Sequence, residues 1–227
     1  MAEPNISVEQ LCKELRRRIL SGEYTAGLKL SENKLASEFN VSRMPVRETF
    51  KHLEQDGLLT ILPKSGTYVR SYSQDEVKNA LEIRAYLEAL AIRLVIEQNA
   101  DPAPLEEFLR DMEALFEKES FDAVLFGELH FQFHRALVHL AGNNLLIETY
   151  DKMRFRSLRQ VFFSPMTARE RALTHNEHQK IITLIRLKNP AKAEQFIIKH
   201  LWKRKRKSLI ELIAAQSGHT ITEPYKG

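Results

Sequence analysis

The sequence predicts a mainly α-helical protein, with an N-terminal winged helix-turn-helix domain and a C-terminal antiparallel bundle of six helices. Two observations predict this fold class. Residues 8–70 combine three short helical segments with two β-favouring runs around a turn. From Gln74 to about Gln216 the apolar residues recur at helical spacing throughout. A polar link at 71–73 separates the two parts, so we expect domains at 1–72 and 73–216, followed by a loose tail at 217–227.

Length and composition are those of an ordinary globular protein with one large domain or two modest ones. The 227 residues are 43% hydrophobic and 28% charged, and the formal net charge of +4 is compatible with a nucleic-acid partner without requiring one. The single cysteine, Cys12, excludes a disulfide framework within the chain and suits a reducing compartment. We see no signal peptide and no apolar stretch long enough to span a membrane, so we expect a cytoplasmic protein.

Residues 42–50 are predicted to begin a helix that enters DNA. Ser42 is placed to cap this helix, and Pro45 falls in the first turn, where the N–H it lacks would have no intrahelical partner. Arg43 and Arg47 are four residues apart, so they share one face. Two guanidiniums on the first two turns suit base edges or phosphates in a major groove. The alternative is an ordinary solvated basic face.

The neighbouring segments favour the DNA-binding interpretation. A short helix over residues 31–39 and a tight turn precede the segment, which is the helix-turn-helix arrangement. Gly57 is predicted to end the second helix as a C-cap glycine. Residues 58–69 then read as two strands around a turn that contains Lys64. A hairpin with a basic tip directly after a recognition helix is placed to touch the DNA backbone or minor groove.

Five motifs in residues 8–70 occur together in a characteristic order and spacing: LRRRILSG at 15–22, GLKLSE at 27–32, SRMPVRE at 42–48, LEQDGL at 53–58 and SGTYV at 65–69. With them this segment resembles the winged helix-turn-helix domain of the GntR family of bacterial transcription regulators. Asn33 stands where the family often has a DNA-reading arginine, so the operator preference is expected to differ from the family norm. The expected DNA-contacting residues are Asn33, Ser42, Arg43, Met44, Arg47, Lys64 and Gly66.

The C-terminal part is predicted to form six helices with short connections, which is typical of an antiparallel bundle. Breaks that contain proline, glycine or asparagine separate helices predicted at about 74–98, 105–118, 121–141, 145–163, 168–187 and 191–215. In the first of these, the residues expected to face inward are Val77, Leu81, Ile83, Arg84, Leu87, Leu90, Ala91 and Leu94.

Four of the eight histidines are predicted to converge inside the bundle. His130 and His134 are four apart on one helix, so both point the same way. His178 and His200 are equally far in sequence from the helix break at Asn189, so they should lie level with each other in an antiparallel helix pair. Metal sites in bundle cores are assembled from facing helices in this way. The alternative is four unrelated polar or buried histidines.

Further motifs lie in the C-terminal part: EIRAYLE at 82–88, FHRAL at 133–137, AGN at 141–143, EHQKI at 177–181 and HL at 200–201. With them it resembles the FCD effector-binding domain of the FadR branch of the GntR family, in its shorter, VanR-like form. The resemblance implies a divalent metal held by His130, His134, His178 and His200. His130 stands where the family usually has an aspartate, and an all-imidazole set favours Zn²⁺ or Ni²⁺ over Mn²⁺ or Mg²⁺.

Together these features predict a ligand-responsive bacterial transcription regulator rather than an enzyme. The expected partners are double-stranded operator DNA, a small carboxylate effector and a second copy of the chain, and the expected response is release of a repressor by its ligand. The family resemblance implies that Arg84 contacts the effector, and the alternative for Arg84 is a buried ion pair with a glutamate. Arg154, on the fourth predicted helix, is the second expected effector contact. A metal sensor is a second possibility. A metalloenzyme is a third, and the sequence pattern places no carboxylate near the histidines to act as a base.

Overall fold

The computed structural model describes residues 6–118, 120–153 and 167–203. Between Tyr72 and Ser73 the chain passes from one compact unit into a second, and these are called the first and second units below. A small three-stranded sheet lies in the first unit, and the described part of the second unit is helical. This confirms the predicted fold class.

The described part of the first unit has three helices and three short strands. Its elements are α1 Val8–Leu20, β1 Lys29–Leu30, α2 Glu32–Glu38, α3 Arg43–Gln55, β2 Leu59–Leu62 and β3 Gly66–Val69. Strand β3 lies in the middle of the sheet and pairs antiparallel with both β1 and β2. The β2–β3 hairpin is the predicted wing, and β1 extends its sheet by two residues.

One hydrophobic core holds the first unit together. Helices α1 and α3 each bury apolar side chains spaced three and four residues apart, so the residues of each helix share one face. The strands add apolar residues from β1, β2 and β3 to the same core. Its buried residues include Leu11, Leu15, Ile19, Val46, Phe50, Leu53, Leu59 and Val69.

Local chemistry explains the two ends of α3. Ser42 occupies the N-cap position, but its side chain makes no capping hydrogen bond there, so the capping prediction is wrong in that detail. An N-cap hydroxyl can accept from the third helical residue, and here that residue is Pro45, which has no N–H. At the other end, Gly57 has φ +74° and donates its N–H to the Glu54 carbonyl at 2.9 Å. A left-handed glycine in this position ends the helix as predicted.

The described part of the second unit contains the six predicted helices. They are α4 Gln74–Glu97, α5 Ala103–Ala114, α6 Ala123–Leu140, α7 Asn144–Lys152, α8 Ala168–Arg186 and α9 Pro190–Ile198. Helix α9 continues directly into a π-helical turn, Lys199–Lys203. Helix α4 packs against α6, α7, α8 and α9, so it is the helix around which this unit is arranged.

The inner face predicted for α4 is wrong at two positions. Ile83 and Leu90 are 45% and 42% exposed in the chain. The buried face of α4 includes Ala91, as predicted, and also Ala85 and Ala89, whose small side chains let neighbouring helices approach closely. Once those alanines face inward, helical geometry turns Ile83 and Leu90 outward.

Several helix ends differ from the predicted ones. The helix predicted at 105–118 already ends at Ala114. The helix predicted at 145–163 ends at Lys152, where Met153 is its C-cap, so the predicted end is wrong; residues 154–166 lie outside the described residues. Arg154, the last part of the predicted helix at 191–215 and the predicted tail lie outside them as well. None of the described helices combines the length and the apolar character that crossing a membrane requires.

Candidate DNA-reading residues and histidine cluster

The expected DNA-contacting residues lie on α2, at the start of α3 and at the tip of the wing. Six of them are exposed and Gly66 is half-buried. At the wing tip, Lys64 has φ +63° and Gly66 has φ +131°. The second value lies where a side chain is strained, so the wing turn needs a glycine at that position. This turn holds Lys64 exposed between the two strands.

Arg47 is both exposed and already engaged by a carboxylate. Its Nε and Nη2 donate to the two carboxylate oxygens of Glu32 on α2 at 3.1 Å and 2.9 Å. The Arg47 hydrogen bond holds the pKa of Glu32 below its usual range. An ion pair this exposed contributes little to stability, so the guanidinium can exchange it for a base edge or a phosphate. The pattern of α3 alone does not reveal Glu32, which is 15 residues away in sequence.

The structure brings the four expected metal-binding histidines together. One ring nitrogen from each lies within 4.8 Å of those of the others, and all four side chains are buried. His130 and His134 come from α6, His178 from α8 and His200 from the π-helical turn. The His178 and His200 ring centroids are 5.3 Å apart, in keeping with their equal distances from Asn189. These residues are called the histidine cluster below.

The donor set of the histidine cluster fits a divalent transition metal. The Nε2 atom of His134 lies 3.2 Å from Nε2 of His178 and 3.4 Å from Nε2 of His200. Zinc–nitrogen bonds of about 2.0–2.1 Å in a tetrahedral site put two ligand nitrogens about 3.3–3.4 Å apart. The group itself contains four imidazoles and no carboxylate. That composition suits zinc, nickel or copper better than the oxygen-preferring ions magnesium and calcium.

Two carboxylates touch the histidine cluster, so the expectation that none lies near it is wrong. Oε2 of Glu88 on α4 lies 2.6 Å from Nδ1 of His134, and both side chains are fully buried. Oε2 of Glu177 on α8 lies 2.9 Å from Nδ1 of His200. Glu88 and His134 are 46 residues apart, and only the packing of α4 against α6 brings them together.

Arg84 and Tyr150 hold the other oxygen of Glu88. Arg84 Nε and the Tyr150 hydroxyl donate to Oε1 of Glu88 at 2.7 Å and 2.8 Å. Burial raises the pKa of Tyr150 well above its ordinary value, so its phenol remains a donor at neutral pH. Arg84 is therefore in a buried ion pair with a glutamate, which is the alternative that its sequence position left open. An effector contact through Arg84 stays a prediction.

Comparison with known protein families decides the identity of the two units. A model of the bacterial regulatory proteins of the gntR family matches residues 7–69, and a model of the FCD domain matches residues 79–202. The chain belongs to the GntR family. It is a bacterial transcription regulator with a DNA-binding helix-turn-helix domain and an FCD domain, as the sequence motifs predicted.

Individual relatives of this GntR regulator extend over most of its length. YdhC, an HTH-type transcriptional regulator of Bacillus subtilis, is 31% identical over 84% of this chain and 86% of its own. RspR of Escherichia coli, named a transcriptional repressor, is 29% identical over 85% of each chain. A GntR-type regulator from Rhodococcus sp. RHA1 has a similar fold, with a TM-score of 0.69 and 22% identity over 94% of this chain and 99% of its own. Transcription regulators of this kind are not enzymes.

Proposed function

We propose that this GntR regulator is a repressor that releases its operator when a small carboxylate enters the metal-containing second unit. The observation that carries the proposal is the buried histidine cluster, which lies in the domain that follows a DNA-binding helix-turn-helix. The relative RspR is named a transcriptional repressor, which supports repression over activation in this proposal. All four histidines are within reach of one ion, so a ligand bound beside that ion acts at the centre of the unit.

His130, His134, His178 and His200 would hold the ion, and their donor type favours Zn²⁺ or Ni²⁺. Four imidazoles fill a tetrahedral site, so a carboxylate oxygen would enter as a fifth ligand, an expansion that zinc sites allow. The four imidazoles are neutral when they ligate, so the protein's ligands leave the ion's positive charge available to an anionic effector. We therefore propose a small carboxylate as the effector.

Helix α4 is the element through which the second unit would respond. It begins at Gln74, directly after the last residues of the first unit, and it carries Arg84 and Glu88 beside the histidine cluster. A ligand that binds one arrangement of α4 better than another shifts the population of the two. The resulting coupling free energy between effector and operator is expected to be about 1–3 kcal/mol.

We also propose that the regulator works as a homodimer. One recognition helix reads only a few base pairs, which is too little for genomic specificity, so two copies on inverted half-sites are expected. Helix α4 offers a surface for the dimer interface, because Ile83, Tyr86 and Leu90 are 45%, 63% and 42% exposed. Their spacing of three and four residues puts them on one face of the helix, called the α4 stripe below. A symmetric interface between two such stripes would cover apolar surface that each chain alone exposes to water.

The test uses the metal-loaded protein and DNA fragments that it selects from genomic DNA of its source. Fluorescence anisotropy then follows operator affinity while small mono- and dicarboxylates are added one at a time. At least one carboxylate should lower operator affinity by roughly 5- to 150-fold. A non-specific DNA fragment of equal length serves as the control, and its affinity should not change. If no carboxylate alters operator affinity in the metal-loaded protein, the proposed effector class is wrong.

A metal sensor is the second candidate, because four imidazoles from three segments form a site that could report occupancy by itself. The same assay separates the two functions. For a metal sensor, chelation and re-addition of Zn²⁺ or Ni²⁺ would switch operator affinity without any carboxylate. For the carboxylate-responsive repressor, the metal-loaded protein would change affinity only when the acid is added.

A further inference from the structure

The two carboxylates beside the histidine cluster contact the same ring atom of their histidines. Glu88 touches Nδ1 of His134 at 2.6 Å, and Glu177 touches Nδ1 of His200 at 2.9 Å. The other ring nitrogen, Nε2, faces the cluster in both cases, since the Nε2 atoms of these two histidines are 3.4 Å apart. Each imidazole therefore has a carboxylate on one side and the cluster on the other.

We infer that Glu88 and Glu177 are positioning residues, which set the tautomer and the ring orientation of His134 and His200 for metal binding. An ionised carboxylate only accepts hydrogen bonds, so the proton of each neutral ring must lie on Nδ1. That leaves the Nε2 lone pair directed at the cluster. The inference rests on the proposed metal function and adds two acidic residues that lie outside the ligand set itself.

Glu88 has the more constrained environment of the two. Its Oε2 is used by His134, and its Oε1 accepts from Arg84 and Tyr150 at 2.7 Å and 2.8 Å. These partners come from α4, α6 and α7, so three helices fix the position of one carboxylate. With both oxygens engaged, Glu88 orients a ligand rather than acting as one.

Glu177 holds its histidine in a less enclosed setting. Its side chain is 15% exposed, whereas that of Glu88 is fully buried. It immediately precedes His178 on α8, so it joins the helix that provides one ligand to the π-helical turn that provides another. Solvent screens its hydrogen bond more, and we expect its removal to weaken metal binding less than removal of Glu88.

The test is a competition titration of Zn²⁺ between the purified full chain and a chromophoric chelator. Removing a residue that hydrogen-bonds to a metal ligand typically weakens metal binding by about 10- to 100-fold. Glu88→Gln should fall near the upper end of that range and Glu177→Gln near the lower end. Glu194→Gln is the matched control, because Glu194 pairs with Arg93 between helices α9 and α4 away from the cluster, and it should bind zinc like the parent chain. Zinc affinity unchanged in both Glu88→Gln and Glu177→Gln would overturn the inference.

A second measurement reports the tautomer directly and does not depend on metal. Long-range ¹H–¹⁵N correlation spectra of the metal-free protein should show His134 with its proton on Nδ1, and Glu88→Gln should change that signature while Glu194→Gln leaves it intact. A proton on Nε2 of His134 in the parent chain would overturn the inference. If Glu88→Gln does not fold, Glu177→Gln and the His200 signal provide the same comparison at a partly exposed site. A parent chain that takes up no zinc would refute the proposed metal function, and the tautomer result would still decide what Glu88 does.

Discussion

At the residue scale, His130 is the proposed ligand that replaces the aspartate implied by the family resemblance. The residue is 2% exposed, and its ring centroid lies 4.7 Å from those of both His134 and His178. His130→Asp should therefore keep a metal and shift the preference toward harder ions such as Mn²⁺, because a carboxylate replaces an imidazole. His130→Ala should bind Zn²⁺ more weakly, since only three ligands remain. Competition titration with each ion measures both effects, and wild-type zinc affinity in His130→Ala would show that this residue does not ligate.

The recognition helix gives a second prediction at the residue scale. Arg43→Ala or Arg47→Ala should strongly weaken specific operator binding while leaving the fold intact, since both side chains are exposed. Removing a bidentate arginine–base hydrogen-bond pair costs about 1–3 kcal/mol of binding free energy. Arg93→Ala is the control, because Arg93 is an exposed, ion-paired arginine of the second unit. Gel-shift affinity for the selected operator fragment that is unchanged in either α3 variant would mean that the recognition helix is misassigned.

At the scale of elements, the α4 stripe predicts where two chains meet. Tyr86→Glu should convert the dimer to monomer, because it puts a charge into the apolar surface that the second copy would cover. Leu187→Glu is the control, since Leu187 is also an exposed apolar residue, at 67%, and lies at the end of α8. Light scattering at micromolar concentration should give a dimer for the parent chain and for Leu187→Glu, and a monomer for Tyr86→Glu. A dimer in all three samples would place the interface elsewhere.

The same helix shows which elements the sequence could and could not predict. The proximity of His178 and His200 could be predicted because the sequence marks the end of one helix and the start of the next. Asn189 caps α9, and Pro190 begins it. The inner face of α4 did not follow, because this helix has apolar residues on two sides, and helical periodicity cannot tell a buried stripe from an exposed one. The contact of Glu88 with the histidine cluster could not be predicted for a related reason. The sequence does not distinguish a buried glutamate from a solvated one, and the partners of Glu88, His134 and Tyr150, are 46 and 62 residues away.

At the scale of the whole molecule, the proposed symmetric dimer, with its two winged helix-turn-helix domains, predicts the form of the operator. The site should contain two inverted half-sites whose centres are about one helical turn of DNA, roughly 10 base pairs, or a multiple of that apart. DNase footprinting of the selected fragments measures the span. Protection limited to one half-site, together with a monomeric protein, would contradict the two-fold arrangement.

We propose that the histidine cluster holds a metal at the core of the second unit, and measurements of metal content and thermal melting test this proposal. Protein purified without a histidine tag should carry about one Zn²⁺ or Ni²⁺ per chain by atomic emission. A ligand present at 1,000 times its Kd stabilises the folded state by about 4 kcal/mol. Since about 1 kcal/mol shifts the melting temperature of a domain of 150–250 residues by about 2–4 °C, chelation should lower Tm by roughly 10 °C, and added Zn²⁺ should restore it. A chain that carries no stoichiometric metal, and whose Tm responds neither to chelator nor to Zn²⁺ or Ni²⁺, would contradict the account and leave the four histidines as the lining of a metal-free pocket.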